Sequence, residues 1–323
     1  MKIPRRQFLQ LSMAASTLPI SSRFASAQSY PTRPVHLVEG FGAGGAPDVV
    51  ARLIGQSLSE RLGNSFVIEN RSGATGNIAT EAVVRAPPDG YTLLLVSAGN
   101  AINATMFKLS FDILRDLAPV AGIVRVPLVM EVHPSIAARS VAEFIAYAKA
   151  NPGKVNMASA GVGSLPHVAG EMFKAMAGVD LFHVPYRGAQ VFPALLAGEA
   201  QLYFGPLLSS IGYVRAGSFR ALAVTTAARS PILPDIPTLG ETLPGYEASA
   251  WYGIGGPKRT PEAVIEKLNK EVNDSIADPK FQARLANLGG TPLGGSPEDF
   301  GKLISDEVKK WGRVILAANM KLQ

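Results

Sequence analysis

The chain reads as an α/β protein whose two lobes face each other across a cleft, and three observations predict it. An apolar run at 35–38 ends in a glycine-rich turn, 40–45, and a helical pattern follows. The same device, strand then small-residue turn then helix, returns at 155–178. Around these two units apolar strands alternate with amphipathic helical stretches, as in parallel sheets covered by helices.

Taken in order, the first helix is marked by Val49, Val50, Leu53, Ile54, Leu58 and Leu62 at three- and four-residue spacings. Pro47 suits a first helical turn, Asp48 complements the positive end of the helix dipole, and Gly63 is a stop signal. Such a turn aims unpaired backbone N–H groups at an anion, so a negatively charged group is expected over 43–46. A strand at 65–68 ending at Glu69, a turn at 70–73 and a helix at 75–86 come next, closed by Pro87-Pro88-Asp89-Gly90. The run 91–96 (YTLLLV) is a buried-type strand, and the apolar run 120–132 around Pro127 is expected to pass from one sheet to another.

Ser140 and Glu143 have capping-box spacing and open a helix that ends near 151–153. The second device follows as strand 155–158, turn 159–164 and helix 166–178. Strand 181–184, helix 191–197, strand 201–204, a helix near Ile211 and strand 220–225 continue the alternation. Beyond Pro231, Pro234, Pro237 and Pro244, a short strand is predicted at 251–255. Thr260-Pro261-Glu262 opens an amphipathic helix, and Ser296-Pro297-Glu298 opens the last one.

A length of 323 residues suits about two domains. The absence of cysteine excludes disulfides, thiolate nucleophiles and cysteine-ligated metals. At the N-terminus Lys2, Arg5 and Arg6 precede an apolar small-residue stretch and Ala25-Ser26-Ala27, an A-x-A cleavage signal. Arg5-Arg6-Gln7-Phe8-Leu9 reads as a twin-arginine export signal, so 1–27 is expected to be removed and the mature protein to be periplasmic. Four of the 31 basic residues (Lys2, Arg5, Arg6, Arg23) lie in that segment, which holds no acid. The remainder carries 27 basic against 25 acidic residues, and nothing argues for nucleic acid.

Gly40-x-Gly42-x-x-Gly45 also matches the dinucleotide fingerprint, with Glu69 where a ribose-binding acid would stand. The second turn at 159–164 has no place in a single mononucleotide half, which weighs against that reading. His36, His133, His167 and His183 lack metal-ligand spacing, and no G-x-S-x-G elbow or Walker A run appears. No metal, cofactor or catalytic residue is therefore assigned. His167 opens a helix beside a glycine turn, where its ring either faces a ligand or packs in the core. Tyr186-Arg187-Gly188 lies at a strand's carboxyl end, where open α/β sheets bind ligands; Arg187 either grips a carboxylate or is an ordinary surface arginine. Trp251-Tyr252 either lines an apolar wall or belongs to the core.

Taken together, these stretches resemble the tripartite tricarboxylate transporter receptor family, also called Bug proteins. The markers are Tyr30-Pro31-x-Arg33-Pro34-Val35, the turn from Phe41 to Asp48 with Val49-Val50-Ala51-Arg52, and Glu69-Asn70-Arg71-Ser72-Gly73. Ala86-Pro87-Pro88-Asp89-Gly90-Tyr91, Asn156-Met157-Ala158-Ser159-Ala160-Gly161, His183-Val184-Pro185-Tyr186-Arg187-Gly188, Arg220-Ala221-Leu222-Ala223-Val224-Thr225 and Leu233-Pro234-Asp235-Ile236-Pro237-Thr238 follow in order.

The resemblance implies a two-lobed type II periplasmic-binding-protein fold with a hinge and an interlobe cleft. Lobe 1 would hold 28–127 and 249–323, and lobe 2 would hold 128–248. It implies a monomeric solute-binding receptor, not an enzyme, that takes a small organic carboxylate and delivers it to the membrane permease subunits of a tripartite tricarboxylate transporter. The implied ligand residues are Phe41, Ala43, Gly44 and Gly45 in one lobe, and Ser159, Ala160, Gly163, Ser164 and His167 in the other. Tyr186, Arg187 and Gly188 belong to a further loop of the cleft. Gly42-Ala43 and Pro47 depart from the Pro-Pro pair and threonine of many members, and Arg187 is often lysine. Gly205-Pro206 stands where amino-acid-binding members tend to carry Asp-Asn, which predicts a plain organic acid over an amino acid unless another acid, Glu199 for instance, takes over.

Overall fold

Three parallel strands begin the structure, a computed structural model that describes residues 30–318 and Met320. The expected export signal, 1–27, lies outside the described residues. From Arg33 onward the chain forms one compact unit.

Strand β1 (Val35–Glu39) lies between β2 (Phe66–Asn70) and β3 (Thr92–Ser97), all parallel. Helix α1 (Ala46–Leu62) makes the crossover from β1 to β2. Its C-cap Gly63 is left-handed (φ 69°) and returns its N–H to Ser59 O, as the stop signal required. The next helix starts later than predicted. Ala74 and Thr75 hold positive φ (44° and 53°), so α2 spans Asn77–Val84 after a single 3₁₀ turn. Helix α3 (Ala98–Met106) follows β3 directly, and α4 (Ile113–Asp116) is one turn capped by the Asp112 side chain.

Strand β4 (Leu117–Val132) runs through both parts of the sheet. Its first part pairs with β9 (Ser249–Pro257) up to Pro127↔Ser249. From Leu128 it pairs instead with β7 (Leu202–Pro206), and from Val129 also with β8 (Arg220–Val224). Thr225 ties the two crossing segments together. Its hydroxyl lies between Leu128 N–H and Ala248 O, and its backbone carbonyl accepts Ala248 N–H.

The second half repeats the first. Helix α5 (Val141–Ala150) is capped by Ser140, and β5 (Asn156–Ser159) pairs in parallel with β6 (Phe182–Pro185) and β7. Helices α6 (Leu165–Ala177), α7 (Val191–Leu196) and α8 (Leu207–Arg215) complete it. Helices α9 (Glu262–Ala277), α10 (Pro279–Asn287) and α11 (Pro297–Ala317) return to the first half, with β10 (Thr291–Pro292) on the edge of β4.

Strand β9 is nine residues long where the sequence predicts five. Gly253, Gly255, Gly256 and Pro257 hide it from a propensity reading, yet the sheet demands small residues there. A Cβ on Gly253 would stand 2.2 Å from the Phe300 ring and 2.5 Å from Ala121 O. Trp251 is wholly buried, edge-on to Phe300 at 5.9 Å, and so is a core residue.

Candidate functional site

Two helix starts of matching construction face a common cavity. In the first, Gly44 takes a positive φ (80°) and its N–H donates to Asp48 Oδ2 at 3.0 Å; Gly45 N–H reaches Gly42 O at 3.4 Å, and Val49 N–H reaches Gly45 O at 3.1 Å. In the second, Gly163 takes φ 81° and its N–H donates to His167 Nδ1 at 3.2 Å; Ser164 N–H reaches Gly161 O, and Val168 N–H reaches Ser164 O, both at 3.1 Å. Gly42-Ala43-Gly44-Gly45-Ala46-Pro47-Asp48-Val49 thus matches Gly161-Val162-Gly163-Ser164-Leu165-Pro166-His167-Val168 bond for bond. A proline stands second in each helix and removes one donor. The first helical N–H groups, of Ala46 and Leu165, have no acceptor within their own helices. Both residues line the cavity.

The cavity holds about 60 Å³ and has no charged side chain in its wall. Four helices open onto it: α1 at Ala46 and Pro47, α3 at Ala98 and Gly99, α6 at Leu165 and Pro166, and α8 at Pro206 and Ser209. Each contributes the positive end of its dipole, so an anion is favoured without a cationic partner. Besides the hydroxyls of Ser97 and Ser164, the rest of the wall is apolar or aromatic, chiefly Phe41, Phe192, Tyr203 and Tyr252, with Ala189 and Ala250. A second cavity of about 440 Å³ lies on the other side of Phe41, Ala160 and Gly188, which line both. Arg187 is its one charged lining residue, beside Tyr186, Ser72 and Thr75.

The predicted site residues divide accordingly. Phe41, Gly45, Ala160, Ser164 and Gly188 line the inner cavity, whereas Tyr186 and Arg187 line only the outer one. Ala43, Gly44, Ser159, Gly163 and His167 line neither. The N–H groups of Gly44 and Gly163 are turned to Asp48 and His167, and Phe41 N–H is held by Glu39 Oε2 at 2.7 Å. Sequence reasoning missed Ser97, Phe192, Tyr203 and Ser209, which come from separate segments and carry no local signal. The matched Gly-x-Gly-x-x-Pro pattern of the two turns was a signal that could have located Ala46 and Leu165. Of Trp251-Tyr252, Tyr252 alone reaches the cavity. Glu199 is exposed and lines neither cavity, so the acid named as a substitute at Gly205-Pro206 is not at hand.

The polar groups behind the turns are strongly perturbed. Burial pushes Glu39 up to about 7, against opposing hydrogen bonds from Asn70 and Phe41 N–H. Burial acts the same way on Asp48, but bonds from Arg52, Gly44 and Asn70 outweigh it and hold its carboxyl low. Burial drives His167 down to about 3, assisted by His183 and Lys174, and drives His183 down to about 4, assisted by Lys174. Glu69, the acid a bound ribose would need, is engaged by His36 and Arg71.

Residues 50–320 match the family described as Tripartite tricarboxylate transporter family receptor. Among solved structures, Rpa4515 of R. palustris with adipate has a TM-score of 0.88 at 38% identity, covering 90% of this chain and 98% of that one. Periplasmic binding protein BugD has a TM-score of 0.88 at 35% identity, over 91% and 100% of the two chains. MatC (Rpa3494) from Rhodopseudomonas palustris with bound malate has a TM-score of 0.85 at 30% identity, over 88% and 100%. With a family match over most of its length and this fold, the chain belongs to the tripartite tricarboxylate transporter receptor (Bug) family.

Proposed function

We propose that this protein is a periplasmic solute receptor that encloses a small organic carboxylate between its lobes and delivers it to a tripartite tricarboxylate permease, without catalysing a reaction. The observation that carries this reading is the inner cavity, walled by four helix N-termini and no charged side chain. Two solved relatives hold adipate and malate, acids of the class such a wall would take. Charge-assisted hydrogen bonds contribute about 1.5–3 kcal/mol each, and micromolar binding needs about 8 kcal/mol net. A few such bonds with apolar packing offset the cost of association.

The lobes of this reading are 28–127 with 249–323, and 128–248. The exchange of partners along β4 at Pro127 and Leu128 supports a hinge there. Calorimetric titration tests the ligand class. Adipate, malate and benzoate are expected to bind at least about tenfold more tightly than aspartate or glutamate, because an ammonium group here meets no acid in the wall and loses its hydration uncompensated. Tighter binding of the amino acids would overturn the ligand class, and failure of every carboxylate would overturn the receptor reading. The export signal predicts a mature chain beginning near Gln28, which N-terminal sequencing of periplasmic protein checks; an uncleaved cytoplasmic product refutes it.

A further inference from the structure

Behind each binding turn stands a three-residue brace that does not touch the cavity. In the first half, Asp48, third in its helix, accepts Gly44 N–H; Arg52 grips both Asp48 oxygens from the next turn of the same helix, and Asn70 at the end of β2 holds Asp48 from the neighbouring strand. The Asn70 amide donates to Asp48 Oδ1 at 2.9 Å and to Glu39 Oε1, and Glu39 holds Phe41 N–H. In the second half, His167, also third in its helix, accepts Gly163 N–H, and His183 of β6 fixes His167. The two rings stack at 4.0 Å, and His183 Nε2 bonds Ser159 Oγ at 2.6 Å; that oxygen in turn accepts Gly161 N–H at 3.1 Å. Glu39, Asp48, Ser159 and His167 are all buried. The residue types differ, yet each brace joins the end of a strand, the neighbouring parallel strand and the third helical residue.

The chemistry of such a brace is to choose which N–H groups face the ligand. A glycine at φ near 80° leaves its N–H free to point outward or to be drawn back. Asp48 and His167 draw it back, and the donors left for the cavity are those of Ala46 and Leu165. His167 Nδ1 must be unprotonated to accept, and the buried, stacked rings stay neutral at pH 7. We infer that Asn70 and His183 are positioning residues of the ligand site: each locks, from the adjacent strand, the helix residue that turns a glycine N–H away from the cavity. This inference rests on the carboxylate-receptor reading.

The test uses the mature protein with adipate as probe and the variants Asn70→Ala, His183→Ala and His183→Gln. The two alanine variants are expected to lose about tenfold or more in adipate affinity through misdirected donors. The glutamine amide can both lie on the His167 ring and reach Ser159 Oγ, so His183→Gln is expected to recover most of the loss. The amide proton resonances of Gly44 and Gly163, read by NMR without ligand, are expected to move in Asn70→Ala and His183→Ala respectively. Adipate affinity within twofold of wild type in both alanine variants overturns the inference, as do unmoved glycine amides. A loss that follows the melting temperature and is not rescued by glutamine overturns it too, since that marks a folding role. If wild-type protein binds neither adipate nor any other acid of the panel, the receptor reading itself has failed, and this inference with it.

Discussion

Gly188→Ala is expected to weaken adipate binding by between about tenfold and a hundredfold while lowering the melting temperature of the unliganded protein by only a few degrees. Gly188 has a φ of 53°, and a Cβ there would lie 2.9 Å from Gly42 N, 3.0 Å from Gly42 Cα and 3.3 Å from Gly42 O. These are backbone atoms of the opposing turn, so no flexible side chain can swing aside. Gly188 lines both cavities, and there the backbones of two loops, one from each half, meet beside the site. On the receptor reading proposed above, the lobes part to admit ligand and the added methyl group then has room, so the substitution would act against closure. Calorimetric titration and a melting curve check this, with Gly217→Ala as the control. Gly217 has a comparable φ of 71° and nothing within 4 Å of its Cβ position, so it carries the backbone strain without the clash. Equal affinity in the two variants would show that the Gly42–Gly188 approach does not control binding.

Glu131→Gln is expected to remove a loss of stability of about 2–4 kcal/mol that the wild type suffers as pH rises from about 5 to about 9. Glu131 lies wholly buried on β4 opposite Tyr203, and neither carboxyl oxygen has a hydrogen-bond partner. Burial pushes its pKa up to about 8 from 4.5 and prevails over the nearby Ser210 hydroxyl, which itself donates to Pro206 O. The folded state therefore keeps the proton between pH 4.5 and 8, where the unfolded chain releases it. Stability contributed in this way is present below pH 4.5 and lost as pH rises through 8. Glu39, raised to about 7, works in the same direction, so the difference between wild type and variant isolates Glu131. Denaturant unfolding at pH 5.5 and 8.5 provides the measurement, and parallel pH dependences in the two proteins would refute the assignment.

Gly205 shows how this acid came to be there. A Cβ at 205 would meet the Tyr203 ring at 2.6 Å and Glu131 Oε2 at 3.0 Å, so the glycine leaves the space that the buried carboxyl and the tyrosine occupy. A one-dimensional reading registers the missing side chain at 205 but not which neighbour fills the gap. Strand pairing alone brings residues 131 and 203 opposite each other.

By itself the sequence determined the parts of this protein whose causes are local. The strand-to-helix step at 40–48 follows from Gly44, Pro47 and Asp48, through φ preference, a missing donor and dipole complementarity, and its copy at 161–167 from Gly163 and Pro166 through the first two of these, all acting within one turn. Helix starts at Ser140 and Ser296 were legible for the same reason. Tertiary structure completed the direction of the turn N–H groups: Arg52 holds Asp48 from within its own helix, but Asn70 and His183 act on Asp48 and His167 from neighbouring strands. It alone assembled the cavity wall, whose Ser97, Phe192, Tyr203, Ser209 and Tyr252 lie on separate elements and share no spacing. It also revealed the full length of β9 around the predicted 251–255, where glycine is required by the close approach of Phe300 and Leu117, a demand made by partners far away in the chain.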